Sequence, residues 1–194
     1  MPAISRILVL VATSKAGSPS GVLAFEIARR LAVDNADVAV VSLEDYPLPL
    51  LDTEAPAPVP LRAAKLCAHL TLQDALVLVS PPANGSLAPL AKNAVDWIAK
   101  AGGDGAKAAD PFRGLVVAVA ATTDGEEEAA HAALEAWNPV FAALGTLSPQ
   151  TPLAVDAARL RLSAETPDEE LANALDGFAR SIAARVANEG RRNA

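Results

Sequence analysis

The chain has 194 residues, 52% of them apolar and 4% aromatic, and its formal net charge is −7 at neutral pH. This length fits one domain with a substantial core, and no apolar run approaches the roughly 18 residues that a membrane span needs. The acidic balance argues against a nucleic-acid groove, and the single cysteine, Cys67, excludes an internal disulfide framework. We therefore expect one soluble, cytoplasmic domain over residues 1–194, with a polar tail at about 188–194.

Five short apolar runs predict β-strands, because they are rich in β-branched residues and too short for stable helices. These runs are residues 7–11, 37–43, 75–79, 115–121 and a short stretch within 146–155. Apolar residues at helical spacing predict helices at about 19–33, 61–71, 89–101, 130–144 and from 167 onward. Strands that alternate with helices at this spacing indicate βαβ units and a parallel sheet.

Five strands and five helices favour a three-layer α/β architecture, the flavodoxin-like fold, with strand order 2-1-3-4-5 and helices on both faces. No G-x-G-x-x-G follows the first strand and no G-x-x-x-x-G-K-[ST] is present, which removes a dinucleotide fingerprint and a P-loop. A receiver domain needs acidic residues after the first strand and an aspartate after the third. The chain has Ala12-Thr13-Ser14 and Ser80-Pro81 at those places.

Three further segments have sequence patterns that predict their role in the fold. The first helix is predicted to turn its apolar residues Val22, Leu23, Ile27 and Leu31 toward the core. Residues 45–60 form a proline-rich acidic loop that is too long for a plain connector, which indicates a surface flap or a contact loop. Residues 102–112 contain three glycines and alanine-rich polar sequence, which predicts a flexible linker.

Three loops, 12–20, 80–88 and 122–126, follow strands and therefore share the carboxyl edge of the predicted sheet, where open α/β sheets bind ligands. The first combines hydroxyl groups and Lys15 with a helix start, a combination that suits phosphate; a serine cap beside an incidental lysine is the plainer alternative. The second offers a rigid backbone and Asn84, which suit the edge of a flat heteroaromatic ring. Asn84-Gly85 is also a common turn pair.

Two motifs at fixed spacing point to one family. The loop after the first strand reads Ala12-Thr13-Ser14-Lys15-Ala16-Gly17-Ser18-Pro19-Ser20. The loop after the third reads Pro81-Pro82-Ala83-Asn84-Gly85-Ser86, and Ala91-Lys92-Asn93-Ala94-Val95-Asp96-Trp97 follows on a helix. Over roughly residues 4–145 the chain resembles the NADPH-dependent FMN reductase family, the flavodoxin-like quinone and azo-type reductases. That family carries G-S-x-R-x-x-S-x-N, then P-E-Y-N-G-S and L-K-N-A-[IV]-D-W.

The resemblance implies FMN as the cofactor. It assigns the FMN phosphate to Thr13, Lys15, Ser18 and Ser20. It assigns the isoalloxazine ring and ribityl chain to Pro81, Pro82, Ala83, Asn84 and Gly85, and a third wall to Thr122, Thr123, Asp124 and Gly125. Neither a metal nor a side-chain acid–base pair is expected, because the flavin carries the chemistry.

The same resemblance implies an oxidoreductase in which NADPH or NADH gives a hydride to the flavin, and a quinone, free flavin or similar acceptor then receives the electrons. It also implies a homodimer or homotetramer, with the helix that contains Trp97 near the subunit contact. His69 and His131 lie outside the candidate loops, and Lys92 and Asp96 are expected to form a surface pair.

The chain departs from the family pattern at several positions. Lys15 replaces an arginine, which loses the planar fork but keeps the charge, and Pro82 and Ala83 replace a glutamate and a tyrosine. Ala12 replaces a glycine, and Glu126-Glu127-Glu128 follows the third loop, where three carboxylates complement a helix dipole. Two alternatives remain: a flavodoxin-like binding or structural module that has lost its flavin, and a one-electron carrier, which the lack of loop aromatics disfavours.

Overall fold

The computed structural model describes residues 4–33, 36–55, 58–103, 110–125, 127–147, 151–163, 165–166 and 168–189. The strands are β1 (Arg6–Val11), β2 (Asp37–Ser42), β3 (Ala75–Val79), β4 (Val116–Thr123) and β5 (Leu153–Asp156). The helices are α1 (Pro19–Val33), α2 (Leu61–Thr71), α3 (Pro89–Gly103), α4 (Glu127–Glu135), α5 (Trp137–Ala143), α6 (Ala157–Leu162) and α7 (Glu169–Glu189). Within these residues, no helix is both long enough and apolar enough to cross a membrane.

The strands form one parallel sheet in the order β2-β1-β3-β4-β5, which confirms the predicted flavodoxin-like topology. β1 pairs with β2 through Ile7 and Val38, and with β3 through Ile7 and Ala75. Every residue of β3 and β4 is buried, as expected for central strands covered on both faces. The strand order reverses between β1 and β3, which places the expected ligand crevice at their carboxyl ends.

Two apolar clusters cover the two faces of the sheet and make the fold three-layered. α2, α3, α4 and α5 pack on one face, where Trp97, Trp137 and Phe141 are almost fully buried. The Trp137 and Phe141 rings stack with centroids 5.3 Å apart. α1, α6 and α7 pack on the other face around Ile27 and Ile182, both fully buried. Burial of this much apolar surface is the main source of stability for such a core.

The first helix begins as predicted, but one of the four residues predicted to face the core does not. Ser18 caps α1, because its Oγ accepts a hydrogen bond from Gly21 N–H at 3.2 Å, and Pro19 takes the first helical position, where no N–H is required. Val22 is 43% exposed. It stands three positions before the exposed Phe25, on the outer flank of the helix.

Three boundaries differ from prediction. The single helix predicted over 130–144 is two helices, α4 and α5, because Pro139 lacks the N–H that a continuous helix needs and crowds the preceding turn. β4 runs two residues further than predicted, so that Thr122 and Thr123 lie on the strand rather than in a loop. α6 was not predicted; Asp156 caps this six-residue helix by accepting hydrogen bonds from the backbone of Ala158 and Arg159.

The long acidic loop is attached to α3. Pro49 O accepts hydrogen bonds from Trp97 Nε1 at 2.7 Å and from Asn93 Nδ2 at 2.9 Å, and Leu51 N–H donates to Asn93 Oδ1 at 2.9 Å. These three hydrogen bonds fix the middle of the loop against α3, and residues 56–57 lie outside the described part.

The predicted linker and tail extend beyond what the structure describes. Residues 104–109 of the linker lie outside the described part, whereas Phe112 at its end is fully buried and belongs to the core. Of the predicted polar tail, residues 190–194 also lie outside it, and α7 continues to Glu189. Cys67 is half-buried on α2, and burial raises the pKa of its thiol.

Candidate functional site

The loop after β3 ends in a tight hairpin turn. Ala83 and Ser86 exchange two backbone hydrogen bonds of 3.0 Å, and the two residues between them, Asn84 and Gly85, have φ angles of 50° and 70°. Two consecutive positive φ angles define a type I′ turn, for which Asn-Gly is the favoured pair. The turn therefore holds its backbone rigidly at the carboxyl edge of β3.

The end of β4 supplies two buried hydroxyl groups with different surroundings. Thr122 Oγ1 lies 3.3 Å from Ser20 Oγ, at the start of α1, and the two hydroxyls share a hydrogen bond. Thr123 is 7% exposed, and its Oγ1 has no hydrogen-bond partner among the described residues. A buried polar atom without a partner costs free energy, so Thr123 marks a place where a bound molecule could supply the missing bond.

The loop after β1 presents donors in front of α1. Lys15 is exposed, and its backbone N–H donates to Thr13 Oγ1 at 3.2 Å. Ser18 and Ser20 are buried, with their oxygens engaged at the helix cap and with Thr122, and the Ser18 hydroxyl proton has no acceptor in the described part of the chain. Among the described residues, none accepts a hydrogen bond from the backbone N–H of Ala16. An exposed amide, an ammonium group and a helix N-terminus together suit an anion.

An open cavity of 520 Å³ lies between the hairpin turn and the end of β4. Its lining residues are Pro81, Pro82, Asn84, Gly85, Thr122, Thr123, Asp124 and Ala130. Asp124 is exposed and is the one charged side chain among these eight residues. The described lining holds neither a cation nor an aromatic ring.

The structure brings seven of the thirteen predicted site residues together around this cavity: Pro81, Pro82, Asn84, Gly85, Thr122, Thr123 and Asp124. Ala83 lies in the turn but packs toward the core, and Gly125 follows the cavity wall with a φ of 91°, which only glycine adopts freely. Four residues that we assigned to the FMN phosphate do not line the cavity but lie on the neighbouring loop, after β1: Thr13, Lys15, Ser18 and Ser20. The Ser20–Thr122 hydrogen bond connects the two regions.

Sequence reasoning did not identify Ala130 as a site residue. It lies in α4, where its helical spacing predicts a core position, and it is indeed 3% exposed while lining the cavity. An alanine carries no chemical signature, so only the folded chain reveals this role. Glu126 lies outside the described residues, and Glu128 is exposed in the first turn of α4. Within the described residues, no cluster of three His, Cys, Asp or Glu side chains could hold a metal ion.

Comparisons with known proteins agree with this architecture. The family model described as NADPH-dependent FMN reductase matches residues 5–159. A search of curated proteins finds no match.

Several solved structures share the fold at low sequence identity. The flavoenzyme NAD(P)H:(acceptor) oxidoreductase FerB from Paracoccus denitrificans is 21% identical with a TM-score of 0.75, and the alignment covers 96% of this chain and 100% of that one. An NADH:FMN oxidoreductase (EMOB) in its apo form is 16% identical, with a TM-score of 0.65 and coverage of 92% and 90%. An azoreductase from Bacillus anthracis is 13% identical, with a TM-score of 0.58 and coverage of 92% and 99%.

The family model spans more than three quarters of the sequence, and it contains both motifs and all three loops at the carboxyl edge of the sheet. The chain therefore belongs to the NADPH-dependent FMN reductase family and is an oxidoreductase.

Proposed function

We propose that the protein is an FMN-dependent oxidoreductase that passes a hydride from NADPH or NADH, via the flavin, to a quinone, free flavin or similar small-molecule acceptor. The observation that carries this proposal is the cavity between the hairpin turn and β4, one of whose lining residues, Thr123, has a buried hydroxyl without a partner among the described residues. FerB, with the same fold, is named an NAD(P)H:(acceptor) oxidoreductase, and EMOB an NADH:FMN oxidoreductase. Both names support the same class of reaction here.

The residues that line the cavity fit the ring of FMN. The type I′ turn offers fixed backbone groups at Asn84 and Gly85, and Thr123 Oγ1 offers a hydroxyl that has no competing partner in the described chain. We assign the isoalloxazine ring and the ribityl chain to Pro81, Pro82, Ala83, Asn84 and Gly85, with Thr122, Thr123 and Gly125 on the opposite wall. When bound, FMN supplies the hydride chemistry, and the protein supplies orientation.

The loop in front of α1 fits the phosphate of FMN. Lys15 provides a full positive charge, the backbone N–H of Ala16 and the helix N-terminus provide dipoles, and Thr13, Ser18 and Ser20 provide hydroxyls. Because Ser18 and Ser20 are buried, we assign the electrostatic part of phosphate binding chiefly to Lys15. The hydroxyls of Ser18 and Ser20 mainly hold the loop against α1 and β4.

A charge reversal tests the phosphate assignment. We expect Lys15→Glu to weaken FMN binding by about tenfold or more, because it replaces an attraction with a repulsion of similar size, while the protein stays folded. The matched control is Lys65→Glu, which makes the same charge change at an exposed position of α2. Fluorescence titration of FMN into both variants gives the two affinities, and circular dichroism checks the fold. Unchanged FMN affinity in Lys15→Glu would overturn the assignment.

A partner-binding or structural module without flavin is the second candidate. It is favoured by the same burial of Ser18 and Ser20, and by the absence of an aromatic ring from the described lining. A protein that shows no rise in melting temperature with excess FMN would support this second function over the first. The homodimer or homotetramer, the cytoplasmic location and the choice between NADPH and NADH remain predictions.

A further inference from the structure

The described lining of the cavity carries a negative charge and no positive charge. Asp124 follows β4 directly, its side chain is exposed, and it forms no ion pair with any other described residue. None of the other lining residues can carry a charge. α4 supplies the uncharged Ala130 to the same wall, so that Asp124 carries all the side-chain charge of the described lining.

Two positively charged features at the carboxyl edge of the sheet do not neutralise the negative charge on the cavity wall. Lys15 lies on the loop of β1, outside the lining, and in the proposed function it is occupied by the FMN phosphate. The N-terminus of α4 carries only about half a unit of positive charge, which is less than the full negative charge of Asp124. The bound phosphate of FMN, and the net charge of −7, add to the negative potential that an incoming molecule meets.

We propose that this cavity selects its electron acceptor by charge, with Asp124 as the specificity-determining residue, so that uncharged quinones are accepted and acceptors with an anionic group are disfavoured. The inference rests on the proposed function, since it assumes that the acceptor enters the cavity that holds the flavin ring. It narrows the acceptor class: a neutral quinone fits the wall better than a quinone that carries a sulfonate or carboxylate on its ring.

The size of the effect follows from the exposure of Asp124. An anionic group a few ångströms from a solvated carboxylate is disfavoured by about fivefold at low ionic strength, and by less when salt screens the pair. The side chains of the described lining offer no compensating cation. Charge selection therefore predicts a preference that depends on salt, on Asp124, and on an acidic group in the acceptor.

Equilibrium binding to the oxidised, FMN-loaded protein tests this without turnover. The two probes are anthraquinone sulfonate and hydroxymethyl anthraquinone, which share one ring system and differ in charge. Neither has an unsubstituted carbon on its quinone ring, so the thiol of Cys67 cannot add to them. Quenching of flavin fluorescence gives both dissociation constants. We expect the sulfonate to bind about fivefold more weakly at low salt, with the ratio falling at high salt and falling by about twofold or more in Asp124→Asn.

The matched control is Asp37→Asn, which removes an exposed carboxylate at the start of β2, on the opposite edge of the sheet. Its ratio of dissociation constants should equal that of the unmodified protein. Charge selection by Asp124 is overturned if both probes bind equally, if neither probe binds, or if the ratio of dissociation constants changes equally in Asp124→Asn and Asp37→Asn. Each of these results leaves the flavin site intact. A protein that takes up no FMN overturns the proposed function, and this inference with it.

Discussion

At the scale of single residues, Thr122 and Thr123 are neighbours on β4 with opposite hydrogen-bonding states. Thr122 shares a hydrogen bond with Ser20 across 102 positions of sequence, whereas Thr123 Oγ1 is buried without a partner in the described chain. Removing one member of a buried pair leaves the other unsatisfied, while removing an unpartnered group relieves a penalty. The two threonines therefore separate a structural role from a ligand-binding role.

Replacing each threonine by valine should give opposite results. We expect Thr122→Val to lower the free energy of unfolding by about 1–3 kcal/mol, because Ser20 loses its buried partner. We expect Thr123→Val to leave stability unchanged or slightly higher and to weaken FMN binding by several-fold. Denaturant unfolding and FMN titration measure the two effects. Weaker FMN binding in Thr122→Val alone would reverse the two roles.

At the scale of elements, the K-N-A-V-D-W motif of α3 serves two different purposes. Asn93 and Trp97 are one helical turn apart and hold Pro49 and Leu51 of the acidic loop. Lys92 and Asp96 form the predicted pair, with a Nζ–Oδ1 distance of 2.6 Å, at partly exposed positions. Asn93 and Trp97 fix the loop, and the partly exposed Lys92–Asp96 pair adds little to stability.

Trp97→Phe should loosen the acidic loop. It keeps most of the buried aromatic area but removes the hydrogen bond to Pro49, so we expect a loss of about 0.5–1.5 kcal/mol in unfolding free energy and faster proteolysis within residues 45–60. Limited proteolysis followed by mass spectrometry locates the cleavage. The control, Asp96→Asn, should lose no more than about 0.5 kcal/mol and should not speed cleavage; equal cleavage of both variants would contradict the role of Trp97.

The start of α7 should make stability dependent on acid pH. Asp168 accepts hydrogen bonds from Arg159 Nη2 and from Leu171 N–H, both at 2.9 Å, and the bonds to Arg159 hold the pKa of Asp168 at about 2. A folded pKa below the unfolded value of about 3.9 stabilises the protein above pH 4, and this contribution is lost as pH falls toward 2.

Asp168→Asn keeps a residue that can cap α7 but removes this charge. We expect its melting temperature to lie below that of the unmodified protein above pH 4 and the difference to shrink as pH approaches 2. Asp37→Asn is the control, with no such convergence expected. A difference that is constant between pH 6 and 2.5 would show that the ion pair does not contribute.

The elements that could be predicted are those with strong local signals. Apolar runs located the five strands, and Asn84-Gly85 indicated the turn that the structure has. The break at Ala136 was missed because the apolar spacing continues through Pro139. α6 was missed because six residues capped by Asp156 carry too little periodicity to detect. The Ser20–Thr122 bond and the role of Ala130 depend on packing between distant segments, which no local pattern encodes.

At the scale of the whole molecule, the fold collects its binding groups at one edge of the sheet. Three strand ends deliver the loop of Lys15, the turn of Asn84 and the hydroxyl of Thr123 to the side where the strand order reverses. Phosphate binding and ring binding thus come from separate loops on a rigid core. FMN in excess should therefore raise the melting temperature of the whole protein, since it binds the folded state alone.

The most direct test is the visible absorption spectrum of the freshly purified protein, repeated after incubation with FMN and desalting, and again after anaerobic addition of NADPH or NADH. We predict flavin bands that survive desalting and bleach when the nicotinamide is added. A protein that remains colourless after incubation with FMN, or that retains flavin which neither nicotinamide bleaches, would contradict the proposed oxidoreductase.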